Sequence, residues 1–334
     1  MRFLVTGTAG FIGFHLAKRL LRGNNTVIGI DAITPYYDQS LKRARHEELG
    51  RSSNFAPHEL MLEDAAALMN LVRKASADTV IHLAAQAGVR YAAENPRSYV
   101  DSNIVGTFNL LDALRLHPCR HLLLASTSSV YGASARQPFE ENDSTDCPLS
   151  LYAATKKAVE IIAYSYSDLL GLPTTVMRLF TVYGPWGRPD MALFKFTKSI
   201  IEGMPIEVYG AGKMTRDFTH VEDVVEAVCR LVDRAPQGNH HRQNGTGTAA
   251  PAAPLRVVNI GSNRPVGLED FIATIKSAVG RKAMRRDLPV QPGEMPATWA
   301  STVLLEQLTG FRPATPLNEG VRDFVAWYRQ YYTL

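Results

Sequence analysis

The sequence predicts an α/β protein built on an open, doubly wound parallel sheet with a smaller C-terminal lobe. Short runs rich in branched apolar residues recur as RFLVT (2–6), TVIGI (26–30), TVIHL (79–83), HLLLA (121–125), TTVMRLF (174–180) and VVNI (257–260). Between them lie stretches with helical spacing, FIGFHLAKRLLR (11–22), DAAALMNLVRKA (64–75), 99–115 and 151–170. Strands alternating with helices imply parallel βαβ units. The third observation is a glycine-rich turn, GTAGFIG, between the first strand and the first helix.

Each part follows in order. Residues 1–180 are expected to form the sheet domain, and 215–262 to return to it through VVNI. After residue 180 prolines and turns interrupt the rhythm, so 181–214 and 263–334 are assigned mainly to the second lobe. The stretch PQGNHHRQNGTGTAAPAAP (236–254) is of low complexity and reads as a flexible surface loop. Its His240 and His241 read as an exposed pair rather than metal ligands, so no metal site is expected.

At 334 residues the chain is longer than one compact core usually carries. Its 46% hydrophobic and 20% charged residues are those of an ordinary globular protein. A net charge of +4 without any basic run argues against nucleic acid as a partner and leaves small anions. Cys119, Cys147 and Cys229 lie far apart and match no metal spacing, which fits a reducing compartment. The first apolar run is too short for a signal peptide, and no segment reaches ~18 consecutive apolar residues. A cytoplasmic protein with no membrane partner is expected.

In GTAGFIG the glycines are Gly7, Gly10 and Gly13. A tight turn without Cβ atoms lets backbone N–H groups and the helix N-terminus meet a pyrophosphate. The alternative is that the glycines merely turn a buried strand. Asp31 ends the second strand about 20 residues beyond the glycines, where a carboxylate can accept both hydroxyls of an adenosine ribose. It would repel a 2′-phosphate, so NAD is favoured over NADP. An aspartate capping its own turn is the alternative.

Tyr152 and Lys156 stand at i and i+4 on one helical face. A phenol titrates near ~10, so a tyrosine base at neutral pH must be brought down by about 3 pH units, about 4 kcal/mol. A neighbouring ammonium and a positive nicotinamide ring can supply that in a low-dielectric cleft. Upstream, STSSVYG (126–132) follows strand HLLLA, so Thr127 or a neighbouring serine can hydrogen-bond a substrate oxygen at the same crevice. Hydroxyl clusters are otherwise turn and cap residues.

With GTAGFIG, HLAAQAGVRY (82–91), STSSVYG, YAATK (152–156), RDFTHVEDVVEA (216–227) and QPGEMPATWAS (291–301), the chain resembles the nucleotide-sugar epimerases of the extended short-chain dehydrogenase/reductase family. The likeness runs from end to end and breaks mainly at 236–254. RLFTVYGPWGRPDMA, Arg178 to Ala192, resembles the UDP-glucuronate 4-epimerase subfamily in particular. The resemblance implies a Rossmann domain, an isomerase activity and a homodimer pairing helices 99–115 and 151–170. It makes Thr127, Tyr152 and Lys156 the catalytic group. It puts NAD against Gly7, Gly10, Phe11, Ile12, Gly13, Asp31, the Leu62 backbone, Leu83, Ala84, Ala85, Asn103, Tyr152, Lys156 and Phe180. It assigns Ser128, Ser129, Thr181 and Arg188 to a sugar carboxylate, Arg216 to the diphosphate, Glu294 to the uridine ribose, and Arg90 to the substrate side.

The chemistry such an enzyme performs explains Arg188. Oxidation at C4 of UDP-glucuronate gives a 4-keto sugar whose carboxylate on C5 makes it a β-keto acid. Such acids lose CO2 when the breaking bond aligns with the carbonyl π system. A planar guanidinium gripping the carboxylate can prevent that alignment while the ring turns. Contact with the diphosphate or with a surface acid is the alternative.

Three positions depart from the family pattern. Ala32 follows Asp31 where an asparagine is usual, Met61 stands where an aspartate meets the adenine, and Glu294 replaces an aspartate. The first two would weaken cofactor binding by about 1 kcal/mol each. The competing expectations are a UDP-glucuronate decarboxylase, a neutral UDP-hexose 4-epimerase with no need of Arg188, and a non-catalytic NAD-binding regulator. A 4,6-dehydratase is disfavoured because Thr127 is followed by Ser128 and Ser129, not by an acid pair.

Overall fold

The computed structural model describes residues 1–134, 136–238, 253–290 and 295–334. In chain order the strands are β1 (Arg2–Thr6), β2 (Thr26–Asp31), β3 (Phe55–Glu59), β4 (Thr79–His82), β5 (His121–Thr127), β6 (Thr174–Leu179), β7 (Thr181–Tyr183), β8 (Ile206–Tyr209), β9 (Thr215–His220), β10 (Leu255–Ile260), β11 (Pro265–Gly267), β12 (Arg285–Leu288) and β13 (Ala297–Thr298). The α-helices are α1 (Phe11–Arg22), α2 (Gln39–Gly50), α3 (Ala65–Ala75), α4 (Tyr91–Glu94), α5 (Pro96–Tyr99), α6 (Gly106–Leu116), α7 (Leu151–Leu170), α8 (Ala192–Glu202), α9 (Val221–Val232), α10 (Leu268–Val279), α11 (Val303–Thr309) and α12 (Leu317–Tyr331).

One sheet runs in the order β10-β6-β5-β4-β1-β2-β3, and every neighbouring pair is parallel. This is the doubly wound arrangement that the sequence predicts. Both of its faces are covered, which is why its central strands read as continuous apolar runs. Phe3, Val5, Leu123, Met177 and Val258 pack under α1, α9 and α11. Leu4, Ile28, Leu122, Leu124 and Val176 point the other way, under α3, α6 and α7. A separate core joins α8, α10 and α12. It lies beside a small sheet in which β9 pairs with β7, β11 and β13.

Helix ends follow their local chemistry. Ser150 caps α7 by accepting from the Ala153 N–H at 3.2 Å, and Gly171 closes that helix in the left-handed region. The switch in chain direction falls between β1 and β4, so the crevice opens there at the carboxyl ends of the strands.

Three local details differ from expectation. Strand β3, FAPHE, carries no alternation because it is an exposed edge with Pro57 in it. The helix expected over 99–115 is α5, a π-helical turn (Val100–Val105) and α6, entered at Pro96. The stretch from Phe180 to Ala192 contains the short strand β7 before its glycines and prolines turn the chain into α8. Most of 236–254, with His240 and His241, lies outside the described residues. Among the described residues no helix is long and apolar enough to cross a membrane, and no group of three His, Cys, Asp or Glu could hold a metal.

Beneath the crevice sits a buried ion pair. Arg178 on β6 donates to both carboxylate oxygens of Glu160 on α7, at 3.0 and 2.8 Å, and also to the Glu141 carbonyl. The Ser126 hydroxyl donates to the same carboxylate, and the Tyr131 ring lies 4.8 Å from the guanidinium. Glu160→Ala leaves that cation unpaired in the interior, so stability is expected to fall by about 3–5 kcal/mol. Chemical denaturation is the check, and a loss below about 1 kcal/mol would show the pair to be dispensable.

Candidate active site

A single cleft of about 1240 Å³ follows the carboxyl ends of the sheet strands and continues between the two lobes. That exceeds the ~300–1,000 Å³ usual for one small molecule and leaves room for two ligands end to end.

At the inner end lies the glycine-rich turn. Gly7 has φ +82°, and a Cβ there would come 2.9 Å from the Ala84 nitrogen. A Cβ on Gly13 would collide with the Gly7 carbonyl. These glycines let β1, the loop after β4 and α1 meet closely, which leaves the α1 N-terminus facing the cleft beside Gly10, Phe11 and Ile12. The geometry fits a pyrophosphate, because a side chain at either position would fill the cradle. Leu62, Leu83, Ala84 and Ala85 line the adjoining wall.

Asp31 caps its own turn and faces the cleft as well. Its carboxylate accepts the Ala9 and Ile33 N–H groups, each at 2.9 Å, and it also lines the cleft. Two carboxylate oxygens have about four acceptor sites, so ribose hydroxyls fit alongside those bonds. Met61 is 45% exposed and lines the cleft, whereas Glu63 lines it too and accepts from the Ser102 hydroxyl at 2.8 Å. That carboxylate near the adenosine end is absent from the sequence reading.

Asn103, in the π-helical turn, is buried; it accepts from the Gln86 N–H at 2.8 Å and donates to the Gln86 carbonyl and the Thr155 hydroxyl. These bonds tie the loop after β4 to α7.

Thr127, at the end of β5, and Tyr152 and Lys156, in the first turns of α7, meet where the two lobes join. Burial pushes the Tyr152 phenol up, opposed by a hydrogen bond with Thr127 and by the positive charge of Arg188. Burial pulls Lys156 down to about 8, opposed by the Glu160 carboxylate one turn along α7. Burial of Tyr152 thus works against its ionisation, while Thr127 and Arg188 work in favour of it.

Substrate-side positions face the outer half. Ser128, Ser129 and Thr181 line the cleft beside Thr127, whose Oγ1 lies 3.2 Å from Ser129 Oγ. Phe180 is packed against Tyr131 and Phe139 at the same junction. Arg216 on β9 lines the outer end and donates to the Thr215 and Pro296 carbonyls. Arg90 also lines the cleft, its guanidinium 4.2 Å from the Tyr209 ring centre. Glu294 lies outside the described residues.

Arg188 lines the cleft and is bound to an acid, though not a surface one. Its Nε and Nη2 donate to Asp190 Oδ1 and Oδ2, at 2.9 and 2.5 Å. Its loop is held by residues that sequence reasoning missed. Arg45 of α2, fully buried, donates to the Ala9 carbonyl at 2.7 Å and to the Trp186 carbonyl at 2.6 Å. His15 Nε2 lies 2.8 Å from the Pro185 carbonyl. A signal for Arg45 exists: it falls on the stripe Leu41, Arg45, Leu49, at i, i+4 and i+8, where a buried cation must have partners.

Comparison with known proteins agrees with this geometry. Residues 3–244 match the NAD dependent epimerase/dehydratase family. The chain is 52% identical over 335 residues to the probable UDP-glucuronate 4-epimerase of Rhizobium meliloti (strain 1021), covering 99% of this chain and 98% of that protein. It is 44% identical to UDP-glucuronate 4-epimerase 4 of Arabidopsis thaliana, covering 99% of this chain and 76% of that one. Among solved structures, the UDP-glucuronic acid 4-epimerase of Bacillus cereus in complex with UDP-glucuronic acid and NAD superposes with a TM-score of 0.88 at 31% identity. It covers 99% of this chain and 100% of that chain. The chain belongs to the NAD dependent epimerase/dehydratase family.

Proposed function

We propose that the protein is an NAD-dependent isomerase that converts UDP-glucuronate to UDP-galacturonate by epimerisation at C4 with the carboxylate retained. The observation that carries this reading is Arg188 in the same cleft as Tyr152, close enough for its charge to act on that phenol. A neutral-sugar epimerase has no use for a cation there.

Gly7, Gly10, Gly13, Phe11 and Ile12 would hold the pyrophosphate of NAD, and Asp31 would hold its adenosine ribose. Bound there, NAD would supply a hydride acceptor for C4 that can return the hydride to the opposite face. Tyr152 accepts the proton of the C4 hydroxyl and later returns it to the same oxygen. Thr127 orients that oxygen, and the charge of Lys156 favours the ionised form of Tyr152. Arg216 neutralises the diphosphate. Between the two hydride steps the 4-keto sugar must turn without aligning its carboxylate for loss of CO2. Arg188, with Thr181, Ser128 and Ser129, grips the carboxylate through that turn.

The cleft at 1–180 together with α9 and β10 forms the NAD-binding part, and the remainder of the chain forms the substrate lobe. We also place a homodimer interface on α6 and α7, where Phe108 and Ile161 are 46% and 58% exposed. The mass in solution is its check. The three cysteines are free thiols, which supports a reducing cytoplasmic location, testable by cell fractionation.

Proton NMR of UDP-glucuronate incubated with the protein and NAD is expected to give UDP-galacturonate. UDP-pentose with released CO2 would instead mean a decarboxylase. Tyr152→Phe is expected to abolish turnover and leave NAD bound, and normal turnover in that variant removes Tyr152 as the base. Arg188→Ala is expected to raise KM for UDP-glucuronate at least tenfold, about 1.4 kcal/mol, and to raise the pentose by-product. Unchanged KM with no new CO2 removes the clamp. Met61→Asp is expected to tighten NAD about fivefold by calorimetric titration, the equivalent of about 1 kcal/mol. Unaltered or weaker binding counts against the alignment of Met61 with the adenine.

A further inference from the structure

We propose that Asp190, braced by Tyr36, is the positioning residue that sets which edge of Arg188 meets the substrate carboxylate. The inference rests on the reading of Arg188 as the carboxylate clamp. A guanidinium has five N–H donors in one plane, divided between two bidentate edges. Asp190 occupies one of those edges, taking Nε with Oδ1 and Nη2 with Oδ2. The Nη1 pair and the outer Nη2 proton remain, and they form the second fork. A substrate carboxylate can therefore bind Arg188 side by side with Asp190 and need not displace it.

Asp190 is held by more than the arginine it holds. The Tyr36 hydroxyl donates to Asp190 Oδ2 at 3.1 Å. The Tyr36 ring lies 4.7 Å from that of Tyr91 and 5.8 Å from the Arg188 guanidinium. It is wedged over Gly88, where a Cβ would come within 2.7 Å of the hydroxyl oxygen. Tyr36 thus fixes the carboxylate, and the carboxylate fixes the plane of the guanidinium.

Orientation matters more here than charge alone. Decarboxylation depends on the angle between the breaking C–C bond and the 4-keto group. A cation free to swivel would still attract the carboxylate but would no longer set that angle. An ammonium or a loose arginine would bind; a braced fork binds and restrains. The Asp190 carboxylate also offsets the desolvation of the Arg188 cation.

The test compares Asp190→Asn, Asp190→Glu, Tyr36→Phe and Arg188→Ala, measuring KM and kcat for UDP-glucuronate, the ratio of pentose to UDP-galacturonate, and NAD affinity. Asparagine has one acceptor oxygen and cannot take both N–H groups, so Asp190→Asn is expected to free the guanidinium plane and raise KM by a few-fold at most. The pentose fraction should rise, with NAD affinity unchanged. Asp190→Glu, which keeps two acceptors, is expected to recover part of the carboxylate retention. Tyr36→Phe should shift the product ratio in the same direction by a smaller factor, and it keeps the proposal testable if Asp190→Asn does not fold. An unchanged KM and product ratio in Asp190→Asn, with Arg188→Ala impaired, overturns the inference and leaves the clamp standing. Tighter UDP-glucuronate binding in Asp190→Asn also overturns it, since Asp190 would then be a competitor for the fork. If Arg188→Ala itself changes neither quantity, the clamp falls and the inference with it.

Discussion

The site depends on one buried cation that does not line the cleft. Arg45 is fully buried, yet its partners are carbonyl oxygens and the Tyr37 hydroxyl, not a carboxylate. Through it the glycine-rich turn, at Ala9, is tied to the loop that carries Arg188, at Trp186 and Gly187. The first loop lies in the sheet domain and the second opens the way to the small lobe. A guanidinium serves this purpose because several donors leave one plane in fixed directions. An apolar residue would fill the space but leave the loop carbonyls unsatisfied, at a cost of about 1–3 kcal/mol each. The spacing between the glycine-rich turn and the Arg188 loop is therefore set inside the protein.

Around that brace the charges of the cleft are arranged in pairs that share acids. Arg178 uses both oxygens of Glu160, and the same carboxylate supports the charge on Lys156. Arg188 uses Asp190, which Tyr36 also reaches. At Tyr152 burial raises the phenol's pKa, and the Thr127 hydrogen bond and the Arg188 charge oppose that rise.

The adenosine end has a different character. Met61 offers no acceptor, while Glu63 supplies a carboxylate two residues on, bonded to Ser102 of the π-helical turn. Asp31 shares its oxygens with two backbone N–H groups. This half of the cleft is lined largely by the glycine turn and by the walls at Leu62, Leu83 and Ala84.

Much of this was legible in the sequence, and the boundary has a physical basis. Local spacing determines local structure, so α1 and α7 lie where the periodicity places them, and the glycines forecast the turn because no side chain fits there. Tyr152 and Lys156 share a helical face by arithmetic alone. Likewise, the apolar runs of β1 and β5 require cover on both faces and hence a doubly wound sheet. Edge strand β3 was invisible because an exposed edge needs no apolar pattern. Tertiary structure alone decided the partners of Arg188 and Arg45. A salt bridge or a bond to a carbonyl depends on which loops are brought together, and nothing in the spacing from Ala9 to Trp186 carries that information.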